Sequence, residues 1–272
     1  MSDRYCVIGN PIAHSRSPDI HAAFAAQTGH TLVYERCLAP LDGFAATVGG
    51  LVASGYRGAS VTVPFKLEAA ALAGQLSERA RAAGAVNTLV FADGVIFGDN
   101  TDGAGLVNDI VHNAGVAVAG KRVLMLGAGG AAQGCILPLL SQGPQAIVVV
   151  NRTRASADAL VERFADAAPG KVAAADFADI DGPYDIVINA TSASLADTMP
   201  AVPSQAFSPT TLALDMMYGN KPTRFMAFAT AQGATARDGL GMLVEQAAEA
   251  FFLWRGVRPE TDEILTRIRS AL

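Results

Sequence analysis

The sequence is poor in cysteine and shows no paired arrangement of it. Cys6, Cys37 and Cys135 are the three cysteines among 272 residues, an odd number without a C-x-x-C spacing. A disulfide-bonded secreted scaffold and a cysteine-based zinc site are therefore both disfavoured, and we expect no metal. A reducing compartment suits this cysteine usage, so we expect a cytoplasmic protein.

Long apolar runs and basic clusters are also missing. No apolar segment approaches the ~18 residues that are needed to cross a bilayer, and the first residues, MSDRYCVIGN, lack the pattern of a signal peptide. Acidic side chains outnumber basic ones by 25 to 20, and the net charge is −5. Because nucleic-acid-binding domains present basic patches, we expect neither a nucleic acid nor a membrane as a partner.

What the sequence does contain is an alternation of strand-like apolar runs with helical periodicity. This alternation predicts an α/β fold that includes a parallel sheet, and the length suits about two domains. The segments AVNTLVF and GVIFGDN predict a hairpin that turns at Asp93-Gly94. Near the end, GMLVEQAAEAFFLWRG predicts a long amphipathic helix that stops at Gly256.

A glycine-rich turn follows the predicted strand KRVLMLG. Gly127, Gly129 and Ala132 fit the pattern G-x-G-x-x-G/A, with a strand before it and a helix after it. Gly127 permits the tight turn, Gly129 lets the backbone approach a pyrophosphate, and Ala132 lets the helix pack closely on the strand. The N–H groups at the start of the helix then face the anion. An ordinary glycine-rich turn is the alternative interpretation.

The end of the next strand indicates which dinucleotide would bind. An NAD-binding unit usually places Asp or Glu here, where the carboxylate accepts from the ribose 2′-OH. This chain instead has Asn151 and Arg152, with Arg154 close by. A guanidinium can bind a 2′-phosphate through two hydrogen bonds, so the pattern favours NADP(H). Solvated arginines at a strand end are the alternative.

The stretch NPIAHSRSPDIH sets Ser15 and Ser17 two residues apart. In an extended segment two such side chains point the same way, so both hydroxyls can meet one substrate carboxylate. Pro18 restricts Ser17 to the extended region and suits the first turn of a helix, so an N-cap role for Ser17 is the alternative. The stretch lacks a G-x-S-x-G nucleophile elbow, which argues against a serine hydrolase.

Three more polar side chains lie in short motifs. Lys66, in VTVPFK, lies in the first turn of a predicted helix, where the helix dipole disfavours a cation. It is either a lysine that exchanges a proton with an alcohol or a plain solvated lysine. Asp102, in GDNTDG, either caps the next helix or pairs with Lys66 as acid and base. Asn87, in AVNT, offers an amide either to ligand hydroxyls or to its own surroundings in a strand.

Together with NRT, INATS and DGLGMLVEQAA, these motifs resemble the shikimate dehydrogenase family from end to end. The resemblance implies reversible, NADPH-dependent reduction of 3-dehydroshikimate to shikimate, within aromatic amino-acid biosynthesis. It implies an N-terminal α/β substrate domain at residues 1–103, completed by C-terminal helices within 240–272. Residues 104–239 would form a Rossmann-type, doubly wound domain that binds NADP(H).

The resemblance also implies roles for individual residues at matching positions. Lys66 and Asp102 would form the catalytic pair, with Lys66 as the proton donor to the ketone oxygen. The substrate would be bound by that pair and by Ser15, Ser17, Thr62, Asn87, Tyr218 and Gln246. The cofactor would be bound by Gly127, Ala128, Gly129, Gly130, Ala131, Asn151, Arg152, Thr153, Arg154, Asn189, Ala190, Thr191, Met216 and Gly239.

Three positions depart from the family pattern. Ser60 stands where many members have asparagine, Ser156 stands where a second arginine is familiar, and ASLADTMP lacks a glycine that often follows INATS. Arg154 is the candidate substitute for the missing arginine.

Two other functions stay open at this stage. One is a quinate/shikimate dehydrogenase that accepts quinate or NAD, against which Asn151-Arg152 argues. The other is a non-catalytic NADP-binding sensor, against which the retained Lys66 and Asp102 argue. A monomer and a homodimer are both compatible with the sequence.

Overall fold

Residues 2–272 are described in the computed structural model, except for the side chain of Leu195. Met1, with which the predicted substrate domain begins, lies outside the described residues. The chain divides into two units, one that runs to Gly105 and also includes Leu243–Ala271, and one that comprises Leu106–Met242.

The first unit alternates strands and helices. Its elements, in chain order, are β1 Asp3–Gly9, α1 Ser17–Thr28, β2 Leu32–Leu38, α2 Phe44–Ala53, β3 Tyr56–Val61, α3 Lys66–Leu72, β4 Gln75–Leu76, α4 Glu78–Ala83, β5 Thr88–Ala92 and β6 Val95–Asp99. The six strands form one sheet in the order β2-β1-β3-β5-β6-β4. β1 is parallel to both of its neighbours, whereas β5 runs antiparallel to β3 and β6.

The predicted hairpin between β5 and β6 is confirmed. Asp93 and Gly94 connect the two strands with φ angles of 52° and 75°, as a two-residue turn with two left-handed positions requires. A core that includes Ile8, Phe44 and Phe65 fills one face of the sheet. The apolar run of β1 is buried because it lies in the interior of the sheet.

The C-terminal part of the chain forms two helices, α9 Leu240–Arg255 and α10 Asp262–Ser270. Residues 243–271 of this part belong to the first unit. Trp254 anchors α9, because its ring stacks on Tyr5 at 4.7 Å and its indole N–H donates to the carbonyl of Leu89 at 3.0 Å. Gly256, with a φ of 72°, follows the helix as predicted.

The second unit begins within α5 Asp102–Asn108, which continues as a π-helical segment at Asp109–Asn113. Its elements are β7 Arg122–Leu126, α6 Gly130–Ser141, β8 Ala146–Val150, α7 Arg154–Phe164, β9 Val172–Ala175, β10 Ile186–Asn189, β11 Leu212–Asp215, α8 Arg224–Ala231 and β12 Thr235–Arg237. The sheet order is β12-β11-β10-β7-β8-β9, and each pairing is parallel. This is the doubly wound Rossmann order, whose ligands bind where the strand order reverses, next to β7 and β10.

Several short elements were not predicted from the sequence: β4, α4, α8 and β12. None is longer than eight residues, so none spans enough turns or alternations to give a clear periodic pattern. The π-helical segment was also missed. It contains the fully buried Asp109, which accepts a hydrogen bond from Arg237 at 2.9 Å.

Candidate active site

The structure brings Lys66 and Asp102 together in the first unit. Lys66 is the first residue of α3 and Asp102 is the first residue of α5. The Lys66 Nζ donates to the Asp102 Oδ2 at 2.5 Å, with the two side chains 23% and 10% exposed. The two residues lie 36 positions apart in the sequence, so the fold brings them together. An amine that is held on one side and open to solvent on the other can meet a ligand.

Asn87 fixes the second oxygen of the Asp102 carboxylate. Its amide nitrogen donates to the Asp102 Oδ1 at 2.8 Å, and its amide oxygen accepts from the backbone N–H of Thr101 at 2.8 Å. The carboxylate is thus bound by Lys66 and Asn87, which favours the acid–base interpretation of Asp102 over the capping one. Asn87 is buried directly before β5, and its partners are side chains as well as backbone.

Gln246, on α9, extends this network. Its Oε1 accepts from the Asn87 amide and from the Thr101 hydroxyl, both at 3.3 Å. Its Nε2 donates to the carbonyl of Leu243 at 2.9 Å. Sequence reasoning missed Thr101, although it stands inside GDNTDG, because a threonine between stronger candidates carries no signal of its own. Lys66, Asp102, Asn87, Thr101 and Gln246 are called the polar cluster below.

An ion-pair network holds the backbone that leads to Asp102. Arg79 donates to both oxygens of Asp99 at 2.8 and 2.6 Å and to Glu249 on α9 at 3.0 Å. Burial pushes the pKa of Asp99 upward, but the hydrogen bonds and charge of Arg79 outweigh burial and the net shift is downward. The network joins the end of β6 to the helix that carries Gln246. Because its members lie far apart along the chain, no local sequence pattern could reveal it.

Ser15 and Ser17 also meet, but through a turn that the sequence did not predict. The Ser15 hydroxyl donates to the Ser17 Oγ at 3.2 Å, and the backbone N–H of Ser17 donates to the Ser15 Oγ at 3.3 Å. The predicted extended geometry is wrong, because Arg16 is in the right-handed helical region. The N-cap alternative for Ser17 is also wrong, since α1 begins at Ser17 and Arg16 is the N-cap.

The remaining predicted substrate residues occupy different units. Thr62 directly follows β3, is partly buried, and donates its backbone N–H to the carbonyl of Ile8 at 2.9 Å. Tyr218 follows β11 in the second unit and is also partly buried. Their roles stay predictions.

In the second unit the glycine-rich turn follows β7 as predicted. Gly127 has a φ of 106° and donates its N–H to the carbonyl of Val150 at 2.8 Å. A Cβ on Gly129 or Gly130 would meet nothing within 4 Å in the described structure, so the backbone at the start of α6 is open to a ligand. Ala132 is fully buried, as close packing of the helix requires. An open backbone at a helix start fits a pyrophosphate.

The arginines at the end of β8 differ in their surroundings. Arg154 is the first residue of α7, and its guanidinium donates to Asp158 at 2.8 Å and to Asp176 at 3.1 Å. Arg152 is exposed, and the structure shows it in no ion pair among residues 2–272. The Asn151 amide donates to the carbonyl of Thr153 at 2.9 Å, which shapes the turn between the two arginines. Arg152 is therefore the more available cation.

The ends of β10 and β11 form a rigid edge beside the glycine-rich turn. Asn189 is fully buried, and its Oδ1 accepts from the Thr191 hydroxyl at 2.7 Å and from the Thr191 N–H at 3.1 Å. The Met216 N–H donates to the carbonyl of Asn189 at 3.0 Å. Any Cβ on Gly239 would clash with the carbonyl of Met216, so only glycine fits there. These predicted cofactor residues thus share one edge of the parallel sheet.

Neither a metal site nor a membrane span is found within residues 2–272. No group of three or more His, Cys, Asp or Glu side chains is arranged to hold a metal ion in this part of the chain. No helix in it is long and apolar enough to cross a membrane.

Comparison with protein families gave three matches along the chain. Residues 7–89 match the family described as shikimate dehydrogenase substrate binding domain. Residues 109–202 match shikimate / quinate 5-dehydrogenase, and residues 239–269 match the shikimate 5′-dehydrogenase C-terminal domain.

Individual relatives agree with these matches. A protein of Janthinobacterium sp. (strain Marseille) named shikimate dehydrogenase (NADP(+)) is 61% identical, over 100% of this chain and 98% of the relative. The structure of an Ael1 enzyme from Pseudomonas putida is 44% identical with a TM-score of 0.93, covering 98% of both chains. The structure of shikimate 5-dehydrogenase from Thermus thermophilus in complex with NADP(H) and shikimate is 33% identical with a TM-score of 0.89, covering 99% of this chain and 100% of that one.

Proposed function

The chain belongs to the shikimate dehydrogenase family, and we propose that it catalyses the reversible, NADPH-dependent reduction of 3-dehydroshikimate to shikimate. The observation that carries the proposal is the ion pair between Lys66 and Asp102, held by Asn87 within the polar cluster. The relatives named shikimate dehydrogenase (NADP(+)) support the same substrate and cofactor.

In this proposal Lys66 is the general acid. NADPH, when bound, supplies a hydride to the ketone carbon. The ketone oxygen then needs a proton, and the Lys66 ammonium, which already points one N–H at Asp102, has others to donate. Asp102 orients the amine and offsets its charge. In the reverse direction the neutral Lys66 amine takes the proton from the alcohol.

The rest of the polar cluster supports substrate binding. Asn87 and Gln246 each present amide donors and acceptors, which suit the ring hydroxyls of shikimate, and Thr62 adds a hydroxyl. Ser15 and Ser17 lie together and suit its carboxylate. We assign Tyr218 to the carboxylate end of the substrate as well, on the resemblance alone.

The second unit is proposed to hold the cofactor. The turn of Gly127, Ala128, Gly129, Gly130 and Ala131, with open space at Gly129 and Gly130, suits the pyrophosphate. Asn189, Ala190, Thr191, Met216 and Gly239 suit the nicotinamide side. Asn151, Arg152 and Thr153 suit the 2′-phosphate. Arg154 joins them only if its bonds to Asp158 and Asp176 open. We accordingly assign 1–103 with 240–272 to the substrate and 104–239 to NADP(H).

Quinate is the rival substrate. It carries an extra hydroxyl on the carbon that bears the carboxylate, so it needs more room beside the serine pair. Ser17 is 6% exposed and its hydroxyl lies 3.2 Å from that of Ser15, which favours the smaller shikimate.

The ion pair of Lys66 and Asp102 favours an enzyme over a non-catalytic NADP-binding sensor. We further propose a cytoplasmic location, since none of the three cysteines lies in a disulfide in the described structure. A monomer or a homodimer is proposed for the assembly.

Initial rates with shikimate and with quinate, each with NADP⁺ and with NAD⁺, test this proposal. We expect shikimate with NADP⁺ to give the highest kcat/KM, and quinate to be a poor substrate with either cofactor. Equal rates with quinate would favour the broader enzyme, and binding of NADP⁺ without turnover of either acid would favour the sensor. Both results would contradict the proposal.

A further inference from the structure

Tyr34, which has no part in the mechanism above, lies beside the serine pair. It stands on β2 opposite Tyr5 of β1, while Ser60 stands on β3 opposite Val7 of β1. Tyr5 and Val7 are two residues apart on one strand, so Tyr34 and Ser60 share a face of the sheet. The Tyr34 side chain reaches over β1, and its hydroxyl donates to the Ser60 Oγ at 2.8 Å.

Ser17 lies one helical turn before His21, whose ring stacks on Tyr34, and Ser17 lowers the pKa of the phenol by less than Ser60 does. Burial raises the pKa of Tyr34 despite these contacts, so the phenol keeps its proton at any working pH. The hydroxyls of Ser15 and Ser17 form one hydrogen-bonded pair, and those of Tyr34 and Ser60 form a second pair nearby; the four together are called the hydroxyl chain here.

The ring of Tyr34 is fixed by His21. The two rings stack at 4.2 Å with an angle of 9° between their planes. His21 lies four residues after Ser17 on α1, so both side chains are on one face of that helix. Neither ring nitrogen of the buried His21 has a hydrogen-bond partner in the described structure, and burial lowers its pKa to about 3. A neutral imidazole thus supports the Tyr34 ring without competing for its proton.

In the structure two protons of the hydroxyl chain are used in hydrogen bonds between its own members. Ser15 donates to Ser17 at 3.2 Å, and Tyr34 donates to Ser60 at 2.8 Å. A carboxylate only accepts hydrogen bonds, so both serines must turn their protons outward to bind one. The buried Ser17 oxygen then loses the proton of Ser15, and a buried oxygen without a donor costs free energy.

We propose that Tyr34 is a positioning residue that supplies this missing donor, turning its O–H from Ser60 to Ser17 when the substrate carboxylate binds. Ser17 then keeps its own proton for the carboxylate. Ser60 is the resting acceptor of the phenol proton. This inference rests on the proposed function, in which Ser15 and Ser17 receive the carboxylate.

Tyr34→Phe tests the inference in the full-length protein. One lost neutral hydrogen bond corresponds to about a 3- to 10-fold rise in KM for shikimate, and we expect kcat and the KM for NADP⁺ to stay within about twofold of wild type. The matched control is Tyr56→Phe, which removes a phenol bonded to Arg4 and Glu35 in the same sheet and leaves the hydroxyl chain intact. Melting curves check that each variant is folded.

Ser60→Ala separates donation by Tyr34 from general support of the sheet. It removes the resting acceptor and leaves the phenol free to donate to Ser17, so its rise in KM should be clearly smaller than that of Tyr34→Phe. Equal rises in the two variants, or a Tyr34→Phe KM that matches wild type, would overturn the inference. A wild-type protein that does not oxidise shikimate would instead overturn the proposed function, so the two failures are distinguishable.

Discussion

The two units of the chain present different kinds of chemical group at their candidate sites. In the first unit the polar cluster consists of side chains drawn from positions 66 to 246, each bonded to another. In the second unit the glycine-rich turn lies within six consecutive residues, and it offers backbone with open space at Gly129 and Gly130. The first site suits the proposed proton transfer and hydroxyl recognition. The second is built for close approach of an anion.

This difference predicts which kind of substitution should damage each site. Removal of a side chain should damage the first site, while addition of a side chain should damage the second. The proposed recognition of charge by Arg152 is the exception in the second unit, because it depends on a side chain just after β8.

The largest effect is expected from Lys66→Ala. Loss of a general acid lowers turnover by ~10²–10⁴-fold, while shikimate binding persists because the serine pair, Asn87 and Gln246 remain. Steady-state kinetics and calorimetric titration with shikimate measure the two properties. Lys171→Ala is the control, since that lysine is exposed and donates to the backbone carbonyls of Pro144 and Gln145. Unchanged turnover in Lys66→Ala would refute its role.

The next largest effect is expected from Arg152→Ala. Hydrogen bonds to charged groups contribute ~1.5–3 kcal/mol, so the KM for NADP⁺ should rise by about 10- to 100-fold while the KM for NAD⁺ changes little. Arg154→Ala should change the NADP⁺ value less, because that guanidinium is held by Asp158 and Asp176. Parallel losses for NADP⁺ and NAD⁺ would remove the argument for 2′-phosphate recognition.

Gly129→Ala adds a side chain where the second unit offers open backbone. Beyond its chain neighbours, the new Cβ would meet no atom of the described residues within 4 Å, so the melting temperature should hold while the methyl group crowds the pyrophosphate. We expect the affinity for NADP⁺, measured by titration, to fall by about 10-fold, in the range of overpacking costs of ~1–3 kcal/mol. Gly49→Ala on α2, which is equally unobstructed, is the control and should stabilise the helix by ~0.5–1 kcal/mol. Normal NADP⁺ affinity in Gly129→Ala would contradict the assignment of the turn.

The last prediction concerns stability in acid instead of activity, and it belongs to the first unit. Burial lowers the pKa of His21 to about 3 from an ordinary value near 6.5, so the unfolded chain binds a proton that the folded chain does not between these two values. The free energy of unfolding therefore falls as the pH falls through this window, by up to ~1.4 kcal/mol per pH unit from this group. His21→Phe should remove that part of the slope in denaturant titrations at about pH 4 to 7. Identical slopes in the two proteins would show that His21 is protonated in the folded state.

The second site was easier to predict from the sequence than the first, because its signal is local. Gly127 to Ala132 are contiguous, and their strand and helix neighbours are long enough to be recognised by pattern. The hairpin at Asp93-Gly94 was predicted for the same reason, since two adjacent residues specify the turn.

The first site depends on contacts between residues far apart in the sequence, which local sequence patterns do not predict. Gln246 stands beside an apolar stripe on α9 and looks like a surface residue, and only the fold brings its Oε1 to Asn87 and Thr101. Ser15 and Ser17 were expected to meet, but they do so through a turn at Arg16 rather than an extended segment. Tyr34 and His21 carried no signal, because their contact joins a helix to a strand.

The central claim is that Lys66 and Asp102 act as one unit in proton transfer, and a double-mutant cycle tests it most directly. Turnover of shikimate with NADP⁺ is compared for wild type, Lys66→Ala, Asp102→Asn and the double variant. Groups that act as a unit lose activity non-additively, so the double variant should be about as slow as the slower single variant. Losses that multiply in the double variant, or wild-type turnover in either single variant, would contradict the account.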